Sequence, residues 1–229
     1  MTFKTGVTEF AEFLGAEIKR IEKKIPDGGG SGSQSSDSMI ITGIGRPDKP
    51  ETTSGKITGR EPNGTFYSST NGAGVGAYLW LKQNNKWVVT SADTGERRMI
   101  RDSVNIMQGF ISLRRVNNTV ECTFTGGAWG SISFRGSETG SFVRKNHAKR
   151  MDILPRNKIP QGFRSSVPFM LPFYSDEGDN VGMVYVGSIG DSNYIELRFK
   201  DSVPTKDLIW MRLPVINWIT PDPYPETLP

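Results

Sequence analysis

From Met39 onward the chain is cut at short intervals by paired turn formers: Asn63-Gly64, Asn71-Gly72, Asn84-Asn85, Asn117-Asn118 and Gly190-Asp191. Asparagine and glycine enter the left-handed backbone region that tight hairpins demand, so each pair marks a reversal of direction. The runs between them are short and rich in β-branched and aromatic residues, which suit a pleated, half-buried surface. They predict strands over 39–44, 65–69, 76–82, 87–91, 106–116, 119–125, 130–135, 166–173, 181–188, 194–199 and 214–218. The stretch 142–165 lacks this pattern and reads as a loop. Many short strands with turns between them predict a mainly β fold, built as a small β shoulder over 39–101 and a jelly-roll-like C-terminal β-sandwich over 102–229.

The 26 glycines and 14 prolines follow no Gly-X-Y period, so they signal turns and not collagen. At 35% hydrophobic and 10% aromatic, the chain has enough apolar matter for a packed core.

The N-terminus is built differently. Over 1–26, Val7, Phe10, Leu14, Ile18, Ile21 and Ile25 fall at spacings of 3, 4, 4, 3 and 4, an apolar stripe along one face of a helix. The 3-4-4 order is an eleven-residue repeat, which predicts a nearly straight or slightly right-handed bundle. Glu9, Glu12 and Glu17 precede Lys19, Arg20, Lys23 and Lys24, as the helix dipole favours; Pro26 and Gly28 end the helix. Alone, such a helix is marginal in water, so the stripe needs a partner. Packing on the chain's own β part is one solution. The polar Gly/Ser tether over 27–38 holds no fixed angle and favours the other, an oligomerising coiled coil, expected to be a parallel homotrimer.

Catalytic constellations are thin. His147 is the only histidine and lies among Arg144, Lys145, Lys149 and Arg150, cations that would depress its pKa. Cys122, the only cysteine, allows no internal disulfide and reads as a buried small residue on a strand. No nucleophile elbow, P-loop, dinucleotide fingerprint or paired-histidine metal motif occurs, so neither enzymatic activity nor a cofactor is expected. The segment 175–180 offers oxygen ligands but lacks the length and spacing of an EF-hand loop; it reads as a hairpin turn. No run approaches a membrane span and no secretory signal is recognised, so synthesis in a cytoplasm without membrane insertion is expected.

The formal charge of +4 is compatible with an anionic partner. Cations gather at Arg135, Arg144, Lys145, Lys149 and Arg150, with His147 among them. They form either a solvated loop or a patch for an anionic surface polymer such as a phosphate-bearing wall glycan. Nucleic acid is not expected, because no stacking motif accompanies the charge. Trp129, flanked by Gly126, Gly127 and Gly130, is either an exposed sugar platform or a core or interface tryptophan.

Several stretches resemble, in order, minor tail and tail-fibre proteins of phages that infect Gram-positive, especially actinobacterial, hosts. Gly64-Thr-Phe-Tyr67 through Trp80-Leu-Lys-Gln-Asn-Asn-Lys-Trp87 is similar to their shoulder repeat, and Asp93-Thr-Gly-Glu-Arg97 to the Asp-Thr-Gly-Trp-Arg at the following junction. Ile111-Ser-Leu-Arg-Arg115 with Asn118-Thr-Val120, Ile159-Pro-Gln-Gly-Phe-Arg164, and the ending from Trp218 to Pro229 extend the likeness over 60–229. Glu96 stands where tryptophan is typical, and collagen-like repeats and a long shaft are missing. The resemblance implies a trimeric virion protein that is joined through its N-terminal region to tail, baseplate or head proteins and binds host wall glycan. A head or collar fibre without host recognition, a carbohydrate-binding module and a glycan depolymerase are the alternatives.

Overall fold

The structure, a computed structural model, describes residues 40–54, 57–99, 104–140 and 148–229. The expected helix with its stripe of Val7, Phe10, Leu14, Ile18, Ile21 and Ile25, the linker, and Arg144, Lys145 and His147 lie outside the described residues.

Ser38–Pro229 is one compact unit, and its described residues are mainly β. The first strands are β1 (Ile40–Gly43), β2 (Phe66–Ser69), β3 (Ala77–Gln83) and β4 (Lys86–Ala92). Next come β5 (Arg97–Arg98), β6 (Ile106–Gln108), β7 (Phe110–Val116), β8 (Thr119–Thr125) and β9 (Ile132–Phe134). Then follow β10 (Arg150–Leu154), β11 (Phe169–Tyr174), β12 (Asn180–Val186), β13 (Ile195–Phe199), β14 (Leu208–Met211) and β15 (Ile216–Ile219). They form four sheets, ordered β1-β2-β3-β4, β15-β8-β7-β5, β14-β9-β6 and β10-β13-β12-β11.

Two of the turn pairs close hairpins. Asn84 and Asn85, at φ 49° and 60°, join β3 to β4, and Asn117, at φ 53°, opens the turn between β7 and β8. In the first sheet Tyr67 and Trp80 are fully buried and meet edge to face at 5.8 Å. Burial of each ring stabilises by about 1.5–3 kcal/mol, with roughly 0.5–1.5 more from the pairing. Tyr224, from the C-terminal segment, completes this small core.

The other three sheets share one core. The strand period of two turns Val120, Cys122 and Phe124 of β8 inward, and likewise Ile195, Leu197 and Phe199 of β13. Val184 and Val186 of β12, Ile132 and Phe134 of β9, and Met151 and Ile153 of β10 join the same cluster. Burial pushes the Cys122 thiol pKa far up, so it behaves as a small apolar group.

Two expectations are corrected. The stretch 142–165 is not all loop: its residues 150–154 form β10, which pairs with β13 and buries Met151, Ile153 and Leu154. The run 106–116 is not one strand, because Gly109, at φ 96°, breaks it into β6 and β7. A Cβ on Gly109 would sit 2.8 Å from the Thr125 carbonyl oxygen.

The inward alternation of β7 has a consequence. Ile111 and Leu113 face the core, and so does Arg115, which is only 2% exposed. Its guanidinium donates to the carbonyl oxygens of Asn117 (2.6 Å), Gly162 (2.7 Å), Pro223 (2.9 Å) and Asp222 (3.1 Å), and to Asn118 Oδ1 (3.4 Å). Its plane lies 4.9 Å from the Tyr224 ring. One buried cation thereby pins the 117–118 turn, the loop at Gly162 and a C-terminal strap to the end of the core. Asp222 is tied from its other side by Arg164 at 2.6 and 2.8 Å.

Candidate functional site

Trp129 is 82% exposed, and its backbone is left-handed, at φ 59°. A bulky residue there costs roughly 1–2 kcal/mol, so the loop holds it against a local penalty. The chain leaves β8 through Gly126 (φ 95°) and folds the loop on itself. Gly127 N–H donates to Ser131 O at 2.9 Å, and Ser131 N–H to Ala128 O at 3.1 Å.

Arg212 fixes the outside of the loop. Its Nη1 donates to the Trp129 carbonyl at 2.5 Å, and its Nε to Asp176 Oδ1 at 2.7 Å. Its main chain exchanges bonds of 2.7 and 3.0 Å with Tyr174, the last residue of β11. Asp176 belongs to the β11–β12 hairpin turn, closed by Ser175 N–H to Asp179 O at 2.9 Å.

A second left-handed tryptophan lies two residues before Arg212. Trp210 has φ 57° and is 45% exposed; it sits in the irregularity between Leu208 and Met211 where β14 pairs with β9, and its N–H donates to Ser133 Oγ at 3.2 Å. Arg212 therefore joins the Trp129 loop to the half-exposed Tyr174, and Trp210 precedes it by two residues in the chain. Sequence reasoning found Trp129 through its glycines. It missed Trp210, because Leu208-Ile-Trp-Met211 reads as an apolar core run.

The expected basic patch is distributed differently. Lys149 Nζ donates to the Lys200 carbonyl at 2.8 Å. Arg150, on β10, lies 3.7 Å from Glu196, a fully buried carboxylate that Arg198 also reaches at 2.6 Å. Arg135 is exposed at the end of β9, its N–H bonded to Asn105 O. Tyr174 and Arg150 belong to opposite edge strands of the β10-β13-β12-β11 sheet, three strand spacings or about 14 Å apart. Trp129 is thus grouped with Arg212 and Tyr174 and not with Lys149 and Arg150. Glu96, at the junction where the resemblance leads one to expect tryptophan, accepts a hydrogen bond from Ser112 Oγ at 2.7 Å.

In comparison with known proteins, the chain matches no protein-family model, no curated protein and no solved structure.

Proposed function

We propose that the chain is a non-enzymatic virion protein of a bacteriophage, a tail fibre or minor tail component, whose jelly-roll-like β head binds the host wall glycan through a rim bearing Trp129 and Trp210. The observation that carries the binding role is the pair of exposed tryptophans held in left-handed backbone. Strain of this kind persists only where the surroundings impose it, and it concentrates at ligand-binding positions. Flat aromatic faces stack on the apolar faces of sugar rings. Arg212 is committed to Asp176 and to the Trp129 carbonyl, so ring stacking dominates the contact over ion pairing.

The order of the motifs across 60–229 supports the phage assignment, and the apolar stripe of 1–26 supports a homotrimer joined to the particle through its N-terminal region. Three heads on one particle feature would convert weak sugar contacts into useful avidity. Sedimentation of the full chain should give a species near three times 25.4 kDa; a monomer at high concentration would remove the trimer.

The binding role is tested with Trp129→Gly. Glycine relieves the left-handed backbone and forfeits little buried surface, so stability should hold or rise by up to about 1 kcal/mol. Adsorption of the purified protein to Gram-positive cell walls should nevertheless fall about twofold to tenfold, since an aromatic–sugar stack resembles other aromatic contacts in worth. Undiminished adsorption would overturn the assignment of the rim.

A further inference from the structure

The strap over 222–227 and the outer edge of β4 enclose a groove of about 780 Å³. That volume lies within the range of small-molecule clefts, roughly 300–1,000 Å³. β4 is the last strand of its sheet, and the four consecutive residues Trp87 to Thr90 all line the groove, which therefore runs along the backbone edge. Lys82 stands opposite Trp87 and spends its own N–H and C=O on Thr65 and Gly64 of the other neighbour. In an antiparallel ladder this makes the pair a non-bonded one and turns the Trp87 N–H and C=O outward, toward the groove.

Amides close one end. Asn117 Oδ1 accepts from the Ala92 N–H at 2.9 Å and Asn118 Oδ1 from Arg115, so both side chains are held by their oxygens and keep their NH₂ donors. Gln161, also on the wall, makes no side-chain hydrogen bond among the described residues. Two carboxylates line the groove near Pro225, Asp48 with Arg46 and Glu226 with Lys49, and a third, Asp222 beside the amides, is held by Arg164. The charge of Arg115 is shared among four backbone carbonyls. Among the described residues that line the groove, a phosphate or sulfate would meet no uncommitted cation. A ligand with adjacent hydroxyls would find amide donors, carboxylate acceptors and the β4 edge.

The geometry points to a second binding site, separate from the tryptophan rim, for a neutral oligosaccharide lying along β4. Its walls are fixed before the ligand arrives, because Arg46 Nη1 donates to Pro225 O at 3.2 Å, Tyr224 OH to Val75 O at 3.3 Å and Gly162 N–H to Asp222 Oδ2 at 2.8 Å. Preorganisation of this kind spares the ordering cost of binding.

The test is titration of the full chain, by calorimetry and saturation-transfer NMR, with neutral trisaccharides of glucose, galactose and N-acetylglucosamine. A sulfated trisaccharide and an extended peptide of alternating valine and threonine serve as competing probes. At least one neutral trisaccharide should bind. Gln161→Ala and Asn118→Ala should each weaken it by about threefold to tenfold, the worth of one hydrogen bond. The Gln161 side chain makes no hydrogen bond among the described residues, so its variant remains decisive if Asn118→Ala unfolds. The titration is repeated on Trp129→Gly: sugar binding that this variant retains and Gln161→Ala weakens belongs to the groove, which separates failure of the groove from failure of the rim. The proposal is overturned if no neutral trisaccharide binds, if binding survives Gln161→Ala undiminished, or if only the sulfated sugar or the peptide saturates the site.

Discussion

Replacing Arg115 by methionine tests whether one buried cation holds the C-terminal strap. Methionine has similar length and fills the same inward position of β7, so the change removes donors more than volume. Two of the bonds lost, to Gly162 O at 2.7 Å and Asp222 O at 3.1 Å, are fully buried. A buried acceptor left without a donor costs about 1–3 kcal/mol, which gives roughly 2–6 kcal/mol for the two. Against this, methionine relieves the desolvation that depresses the Arg115 pKa, a burden that can reach several kcal/mol for a buried ion. The two terms leave a net loss of about 1–3 kcal/mol, a fall in Tm of roughly 2–12 °C for a unit of this size. Equilibrium urea unfolding measures the total. Hydrogen exchange should show the extra opening concentrated in the strap over 222–227 and in the loop at Gly162. A loss below about 1 kcal/mol, or opening spread evenly over the strands, would refute the reasoning, because the carbonyls would then be finding other donors.

Two further outcomes follow from the same geometry. Gly76 has φ 79° and its Cβ would fall 1.9 Å from the Asp93 carbonyl oxygen, whereas Gly178, at φ 92°, faces open space. Gly178→Ala should cost about 1–2 kcal/mol from backbone strain alone, and Gly76→Ala at least about 3 kcal/mol, compared by chemical denaturation. Burial would raise the Asp222 pKa, but the Arg164 guanidinium and the N–H groups of Gly162 and Arg164 outweigh it and hold the carboxyl below its ordinary value. A depressed folded pKa contributes stability that is fully present above the unfolded value, near 3.9, and is lost as pH falls through the folded one. The stability gap between the native chain and Asp222→Asn should therefore be constant from about pH 5 to 7 and close below about pH 4, as read from urea midpoints.

How much of this was legible depended on whether the governing contact was local. The hairpins at Asn84-Asn85 and Asn117-Asn118 were readable because left-handed turns select their residues within the turn itself. β8 runs over Thr119–Thr125 as expected, since its apolar alternation and its partner β7 are adjacent in sequence. β10 was hidden because Arg-Met-Asp-Ile-Leu sits inside a basic stretch, and its pairing partner β13 begins more than forty residues later. Arg115 was equally opaque. In Leu113-Arg114-Arg115 two like residues take opposite fates, since alternation sends Arg114 out to Asp93 and Arg115 in to the strap carbonyls.

The same distinction explains the divided candidate site. In the sequence, Trp129 and the cations at 135–150 lie close together and suggest one anion-binding surface. In the fold, β11 and β10 are opposite edges of a four-stranded sheet, so the tryptophan goes with one edge and Arg150 with the other. The cation that does reach Trp129 is Arg212, brought by β14 from more than eighty residues away and neutralised by Asp176. An unpaired basic patch would recognise charge, and its binding would weaken as salt screens it. Two exposed, strained tryptophans near a satisfied arginine would instead suit a flat apolar face, such as that of a sugar ring. Binding through them would be little changed by salt, which separates the proposed glycan stacking from attraction to phosphate.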